Sequence, residues 1–227
     1  MLRERIDQVE ERIQQACGRA GRRREEITLV AVTKKFSPQV MLDAYDCGLR
    51  VFGENYVQEF ERKRPELGAM REAQVHFIGH LQSNKTRVAA EIFEVIETVD
   101  AEKIARRLDQ AAGEIGRTLG VMLEVKLSDE ESKAGAGPSE IPALIEAVLS
   151  CPNLRLDGLM TMPPWNDDQE QTRPYFKKLA AIAREHGLAK LSMGMSHDFE
   201  AAIEEGATHI RVGTALFGPR PKPTSAN

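Results

Sequence analysis

The sequence has little cysteine and nothing that organises what it has. Three cysteines stand among 227 residues, Cys17, Cys47 and Cys151. They are odd in number, far apart and without a C-x-x-C, which excludes a disulfide framework and a zinc site and leaves buried or half-buried thiols as the expectation. No apolar run reaches the length of a bilayer. No secretory leader is expected either, because the stretch MLRERIDQVEERIQQACGRAGRRREE is charged throughout. Charge of one sign is also lacking: 31 Lys and Arg face 35 Asp and Glu, a net charge of −4. That balance excludes a general binder of nucleic acid or anionic membranes. A reducing, cytoplasmic setting is expected. No dinucleotide or P-loop fingerprint is present either, since Gly135-Ala136-Gly137-Pro138-Ser139-Glu140 lacks the third glycine of one and the Lys-Ser/Thr ending of the other.

What is present is periodicity. Ile6, Val9, Ile13 and Ala16 recur at helical spacing in the charged N-terminal segment and predict an amphipathic helix packed on the outside of a larger body. Beyond it, short β-type runs alternate with helical stripes about eight times without a linker or a change in composition. The first run, Ile27–Thr33, is apolar at almost every position, as in a parallel strand covered on both faces. Ser37 and Pro38 then open a helix with its buried stripe at Val40, Met41, Ala44 and Cys47. Further strands are predicted at Arg50–Gly53, Val75–Gly79, Val95–Val99, Gly120–Lys126, Leu154–Met160, Lys190–Met193 and His209–Val212. Strand, helix, strand at even spacing over this length predicts one compact (β/α)8 barrel with an extra N-terminal helix, in preference to a doubly wound open sheet.

In such a barrel the chemistry lies at the carboxyl ends of the strands. The first strand ends in Lys34 and Lys35. Either lysine, desolvated at the rim of an apolar strand, could attack a carbonyl and form a Schiff base. Spacing does not choose between them. After the seventh strand comes Ser192-Met193-Gly194-Met195-Ser196-His197-Asp198, with Ser196 expected as the N-cap of a helix. After the eighth comes Gly213-Thr214-Ala215-Leu216-Phe217-Gly218, the place where barrels bind phosphate through backbone N–H groups. Period-2 geometry puts Arg211 inside the barrel if Ile210 and Val212 face the helices. A buried arginine there needs a carboxylate or a ligand atom as acceptor. Amine, phosphate cradle and inward arginine together point to a phosphate ligand that carries an aldehyde.

Other residues read more plainly. His76 and His80 are split by strand and loop, so they do not form a helical metal pair, and no metal site is expected. Tyr45, Tyr56 and Tyr175 carry no mark of a catalytic acid. Trp165 is expected to cap the barrel rather than to touch a ligand, and Lys133 to be a solvated loop charge.

Six blocks then carry a resemblance. Ala31–Lys34, Phe52–Glu59, His76–Lys85, Gly158–Met160, Ser192–Asp198 and Arg211–Gly218 look like the signature blocks of the pyridoxal phosphate homeostasis proteins, in the same order. The resemblance extends to about Arg220 and leaves Pro221–Asn227 as a tail, so residues 1–220 are expected to form the barrel domain. It implies a fold like the N-terminal domain of alanine racemase, with pyridoxal 5′-phosphate (PLP) as the cofactor. By position Lys34, and not Lys35, matches the Schiff-base lysine, and Arg211 the arginine facing the pyridine nitrogen. Ser196, Gly213 and Thr214 match phosphate contacts, and Asn55 a position beside the cofactor. Thr33 stands where many members have serine, and His80 and His197 fall at variable positions.

The resemblance implies a PLP-binding protein of vitamin B6 homeostasis without robust catalysis, with PLP-dependent apoenzymes as possible recipients. An arginine does not readily give a proton to the ring nitrogen, which weakens the cofactor as an electron sink. The chain is also too short for the second domain that supplies a racemase with its opposite-face acid, and a monomer is expected for the same reason. A PLP-dependent racemase or lyase of low activity, and a type I aldolase using Lys34 on a sugar phosphate, are the rival readings.

Overall fold

The computed structural model describes residues 1–128, 130 and 134–220; Lys133 and the tail 221–227 lie outside the described residues. The expected alternation forms throughout. Strands β1 (Thr28–Val32), β2 (Val51–Glu54), β3 (Gln74–Phe77), β4 (Val95–Val99), β5 (Leu119–Glu124), β6 (Leu154–Met160), β7 (Lys190–Met195) and β8 (His209–Val212) follow one another around a closed barrel. Every neighbouring pair is parallel, and β1 closes on β8 with Thr28 opposite His209 and Ala31 opposite Val212.

Around the strands lie α1 (Leu2–Ala20), α2 (Pro38–Asp46), α3 (Val57–Lys63), α4 (Thr86–Ile92), α5 (Glu102–Glu114), α6 (Ile141–Leu149), α7 (Arg173–Glu185), α8 (Phe199–Glu204) and the short α9 (Thr214–Phe217). Parallel strands cannot be joined by tight turns, so each connection is a crossover, and the helices cover the outer face. That face is apolar: Ala31, Phe52, Phe77, Ile96, Ile210 and Val212 are fully or almost fully buried against them.

The N-terminal helix sits where its stripe predicts. Ile6, Val9, Ile13 and Ala16 are buried, and each large aliphatic among them is worth about 1.5–3 kcal/mol in removal from water. α1 packs on α8 and α9. Arg12 binds Glu200 at 2.6 Å and lies 4.3 Å over the Phe199 ring, and Arg19 binds Glu204 at 2.6 Å. The extra helix thus braces the part of the barrel that carries the loops after β7 and β8.

Two strands stop two residues short of expectation for local reasons, while β7 runs two residues further, to Met195. β3 stops at Phe77 because the chain turns at Gly79, where a Cβ would sit 2.2 Å from the Asn55 carbonyl oxygen. β5 stops at Glu124 because the chain then pairs with its own returning loop: Lys126 donates its amide to the Ala136 carbonyl at 2.9 Å. The thiols are free as expected, with Cys17 and Cys151 buried and Cys47 half-buried. Among the described residues no helix is long and apolar enough to cross a membrane.

Candidate functional site

The interior of the barrel carries a polar network among apolar side chains such as Val30, Val32 and Ile78. On β8, Ile210 and Val212 face the helices and Arg211 points inward, 3% exposed. Its guanidinium donates to Ser192 Oγ at 2.6 Å and to the Thr161 carbonyl at 2.8 Å. The carboxylate expected from the sequence is not its direct partner. The carboxylate stands one step behind: Ser192 Oγ donates to Glu97 Oε2, and Glu97 Oε1 meets His76 Nδ1 at 2.6 Å. Burial pushes the Glu97 carboxyl up, but the His76 hydrogen bond and the charges of His76 and Arg211 overcome it and hold the group at about 2. An ionised Glu97 therefore balances Arg211 inside the barrel, and the chain of bonds fixes the guanidinium in one orientation.

Lys34 follows β1 in a turn closed by the Phe36 amide on the Thr33 carbonyl at 3.1 Å. Lys35 is the left-handed residue of that turn, with φ 65°, and it is exposed. The turn sends the two lysines apart: Lys34 lines the cavity at the barrel mouth, and Lys35 does not. Burial lowers the Lys34 ammonium from its ordinary value to about 8, with further lowering from Arg220, Arg211 and Lys35 and a partial offset from Glu54.

The loop after β7 needs Gly194. Its φ is 91°, and a Cβ there would lie 2.5 Å from that of Ala202, so only glycine lets the strand turn this closely onto α8. Ser196 is not the N-cap expected of it. Asp198 takes the cap position of α8, and its Oδ1 accepts from the Met195 amide at 2.7 Å. Ser196 instead reaches the neighbouring loop, where Oγ accepts from the amides of Gly213 and Ala215, each at 3.3 Å. The hydroxyl ties together the two loops in which sequence reasoning places a phosphate.

One cavity of about 530 Å³ brings together all six sequence-predicted residues, Lys34, Asn55, Ser196, Arg211, Gly213 and Thr214. Such a volume suits a ligand the size of a substituted pyridine phosphate. Trp165 also lines it, with its ring 3.7 Å from that of His197. Trp165 is 66% exposed and so stands at the mouth of the barrel, as expected, while sharing in the cavity wall, and His197, at a variable position on the sequence, also lines the wall. Arg220 contributes a further positive charge at the mouth.

Sequence reasoning missed Glu97 and His76. The signal was there, because a charged residue in the middle of Val95-Ile96-Glu97-Thr98-Val99 has no place on the helix-facing side of a parallel strand. His76 lies in the interior, apart from His80, which is exposed. Among the described residues no group of His, Cys, Asp or Glu could hold a metal ion.

The cavity suits an anionic aldehyde. Asn55 Oδ1 is buried with no hydrogen-bond partner among the described residues, an acceptor awaiting a donor. Lys34, Arg211 and Arg220 supply cationic character, and the Gly213–Ala215 segment supplies backbone N–H groups.

Comparison with known proteins agrees with this chemistry. A family model described as alanine racemase, N-terminal domain, matches residues 5–221. The chain is 43% identical over 223 residues to the pyridoxal phosphate homeostasis protein of Aquifex aeolicus, covering 96% of this chain and 97% of that protein. It is 45% identical over 221 residues to the protein of the same name from Pseudomonas aeruginosa, covering 96% of each. Among solved structures, PipY of Synechococcus elongatus with PLP bound superposes with a TM-score of 0.86 at 36% identity, over 96% of this chain and 100% of that one.

Proposed function

The chain belongs to the pyridoxal phosphate homeostasis family, whose barrel is of the alanine racemase N-terminal type, and from that premise we propose that it binds PLP reversibly through Lys34 and buffers or carries the cofactor in a cytoplasmic, reducing compartment. The observation that carries this reading is the convergence of Lys34, Asn55, Ser196, Arg211, Gly213 and Thr214 on one cavity. In this reading Lys34 holds the aldehyde as a Schiff base. The loops joined by Ser196 hold the phosphate, and Asn55 and Arg211 orient the ring.

The cofactor, when bound, supplies an aldehyde for an amine and an electron sink whose strength depends on a proton at the ring nitrogen. Arg211 gives no such proton, because its guanidinium is committed to Ser192 and Thr161 and loses a proton only at strongly alkaline pH. No tyrosine stands among the described residues lining the cavity. Both features favour holding the cofactor over robust turnover. PLP-dependent apoenzymes are the recipients this role implies.

Two measurements test the reading. Purified wild-type protein with PLP develops a visible absorbance band that Lys34→Ala lacks; a colourless wild type, or an unchanged band in the variant, refutes the assignment of Lys34. Interconversion of D- and L-amino acids proceeds no faster than with free PLP, and turnover well above that background replaces the carrier by a racemase.

A further inference from the structure

The turn that carries Lys34 is held by more than its own Phe36–Thr33 hydrogen bond. Lys35 is the one non-glycine among the described residues with positive φ, a conformation disfavoured for any residue with a Cβ unless its surroundings impose it. Here they do, on both sides of Lys34. The carbonyl of Thr33 accepts from Lys63 Nζ at 3.0 Å, and the amide of Lys35 donates to Glu59 Oε1 at 2.6 Å. The remaining bonds join these anchors into one unit. Lys63 Nζ also meets Glu54 Oε1 at 2.8 Å and Glu59 Oε1 at 2.6 Å, and Thr33 Oγ1 donates to Glu54 Oε1 at 2.8 Å.

Lys63 therefore has three acceptors for its three protons, and it is 5% exposed while Glu54 is fully buried. Glu59 and Lys63 lie one turn apart on α3 and so face the same side. A buried charge cluster of this kind is a poor source of net stability against an apolar replacement. What it fixes well is geometry, and its two outward bonds go to the peptide groups flanking Lys34. In the segment Gly53–Glu59 only Asn55 lines the cavity; Glu54 and Glu59 turn to the lysine's backbone instead.

We propose that Lys63, Glu54 and Glu59 are positioning residues that clamp the Thr33–Lys35 turn so that the Lys34 amine meets a carbonyl ligand in attacking geometry. The inference rests on the PLP-binding reading and deepens it. In the reaction served, the two protons of the neutral amine leave with the aldehyde oxygen as water, and a C=N bond replaces C=O. Nothing is oxidised or reduced.

The test separates covalent uptake from simple binding. Uptake of PLP is followed by stopped-flow absorbance, and affinity is measured for pyridoxine 5′-phosphate, which carries an alcohol in place of the aldehyde. Glu59→Ala slows uptake by about 10- to 100-fold, the usual cost of displacing a reacting atom by about an ångström, and leaves the pyridoxine 5′-phosphate affinity within about threefold. Glu59→Gln, whose amide oxygen still accepts from Lys35 and Lys63, restores most of the uptake rate. Wild-type uptake in Glu59→Ala, or a parallel loss of both readouts in a folded variant, overturns the clamp. If Glu59→Ala does not fold, the double variant Glu54→Gln with Lys63→Met removes opposite charges together and is held to the same criteria. Wild-type protein that binds pyridoxine 5′-phosphate and takes up no aldehyde overturns the reading of Lys34 and the clamp with it; unchanged uptake in the variant overturns the clamp alone.

Discussion

The proposed uptake of PLP by Lys34 has a calculable pH dependence. Only the neutral amine attacks, and burial together with Arg220, Arg211 and Lys35 lowers the Lys34 ammonium to about 8. At pH 7.5 the neutral fraction is then about 25%, against about 0.1% for a lysine at its ordinary value near 10.5, a gain of about 200-fold in reactive amine. The uptake rate is therefore expected to rise with pH through a midpoint near 8 and to level off above about 9. Arg220→Gln removes the charge second only to burial in lowering Lys34, so it moves the midpoint upward. Each 0.5 of upward movement lowers the rate at pH 7.5 about 2.5-fold. The assay is stopped-flow absorbance of the protein mixed with PLP across the pH range from about 6 to 10. A midpoint at or above about 10, or a downward movement in Arg220→Gln, refutes the electrostatic account. Linkage gives the sign of a second readout: the unfolded chain holds the Lys34 proton more tightly, so wild-type apoprotein gains stability relative to Lys34→Met as pH rises from about 8 to 10.5.

Two further outcomes follow from groups inside the barrel. Trp165 is the single tryptophan and lines the cavity with Lys34, so PLP quenches the protein's emission saturably, and Lys34→Ala moves the titration midpoint to higher PLP; emission indifferent to PLP would place the cofactor elsewhere. His209 is lowered to about 4, first by burial, with repulsion from His76 and Lys190 and partial support from Glu97. The unfolded histidine takes up its proton near 6.5 and the folded one only near 4, so the native state loses stability as pH falls through that window. At pH 4.5 the loss is about 2–3 kcal/mol, measured by urea denaturation at pH 7 and 4.5. His209→Asn lacks this part of the slope, and equal slopes in both proteins contradict it.

The architecture was legible because its signals are local. β4, β6 and β8 begin and end where their apolar runs do, and the stripe of α1 needs no tertiary information. Arg211 could be turned inward on paper because alternation along β8 is a matter of strand geometry. Other features depend on what distant segments do. The role of Ser196 was misread because the cap of α8 is set by Gly194, whose tight turn leaves Asp198 in the cap position and directs Ser196 to another loop. The share of Trp165 in the cavity wall was not legible because this residue lies in an irregular segment between β6 and α7 with no period from which to infer a direction. Lys63 and Glu59 look like an ordinary solvated pair on a short helix; only the approach of α3 to the end of β1 buries the lysine.

The closure of β1 on β8 sets the time at which the site comes into being. Lys34 follows one of these strands and Arg211 lies on the other, and Val30 pairs with Arg211 across the seam. During synthesis the lysine leaves the ribosome long before its partner, and the cavity has no second wall until the last strand docks. This most distant pairing in the chain is the kind that folds slowly, because the loop it closes spans nearly the whole barrel. A nascent or truncated chain that ends before β8 therefore has the reactive amine without its pocket. A ligand bound across the seam acts as a fastener, stabilising the closed ring by mass action and not the open intermediate. On the proposed reading, cofactor supply and maturation of the protein meet at that one pair of strands.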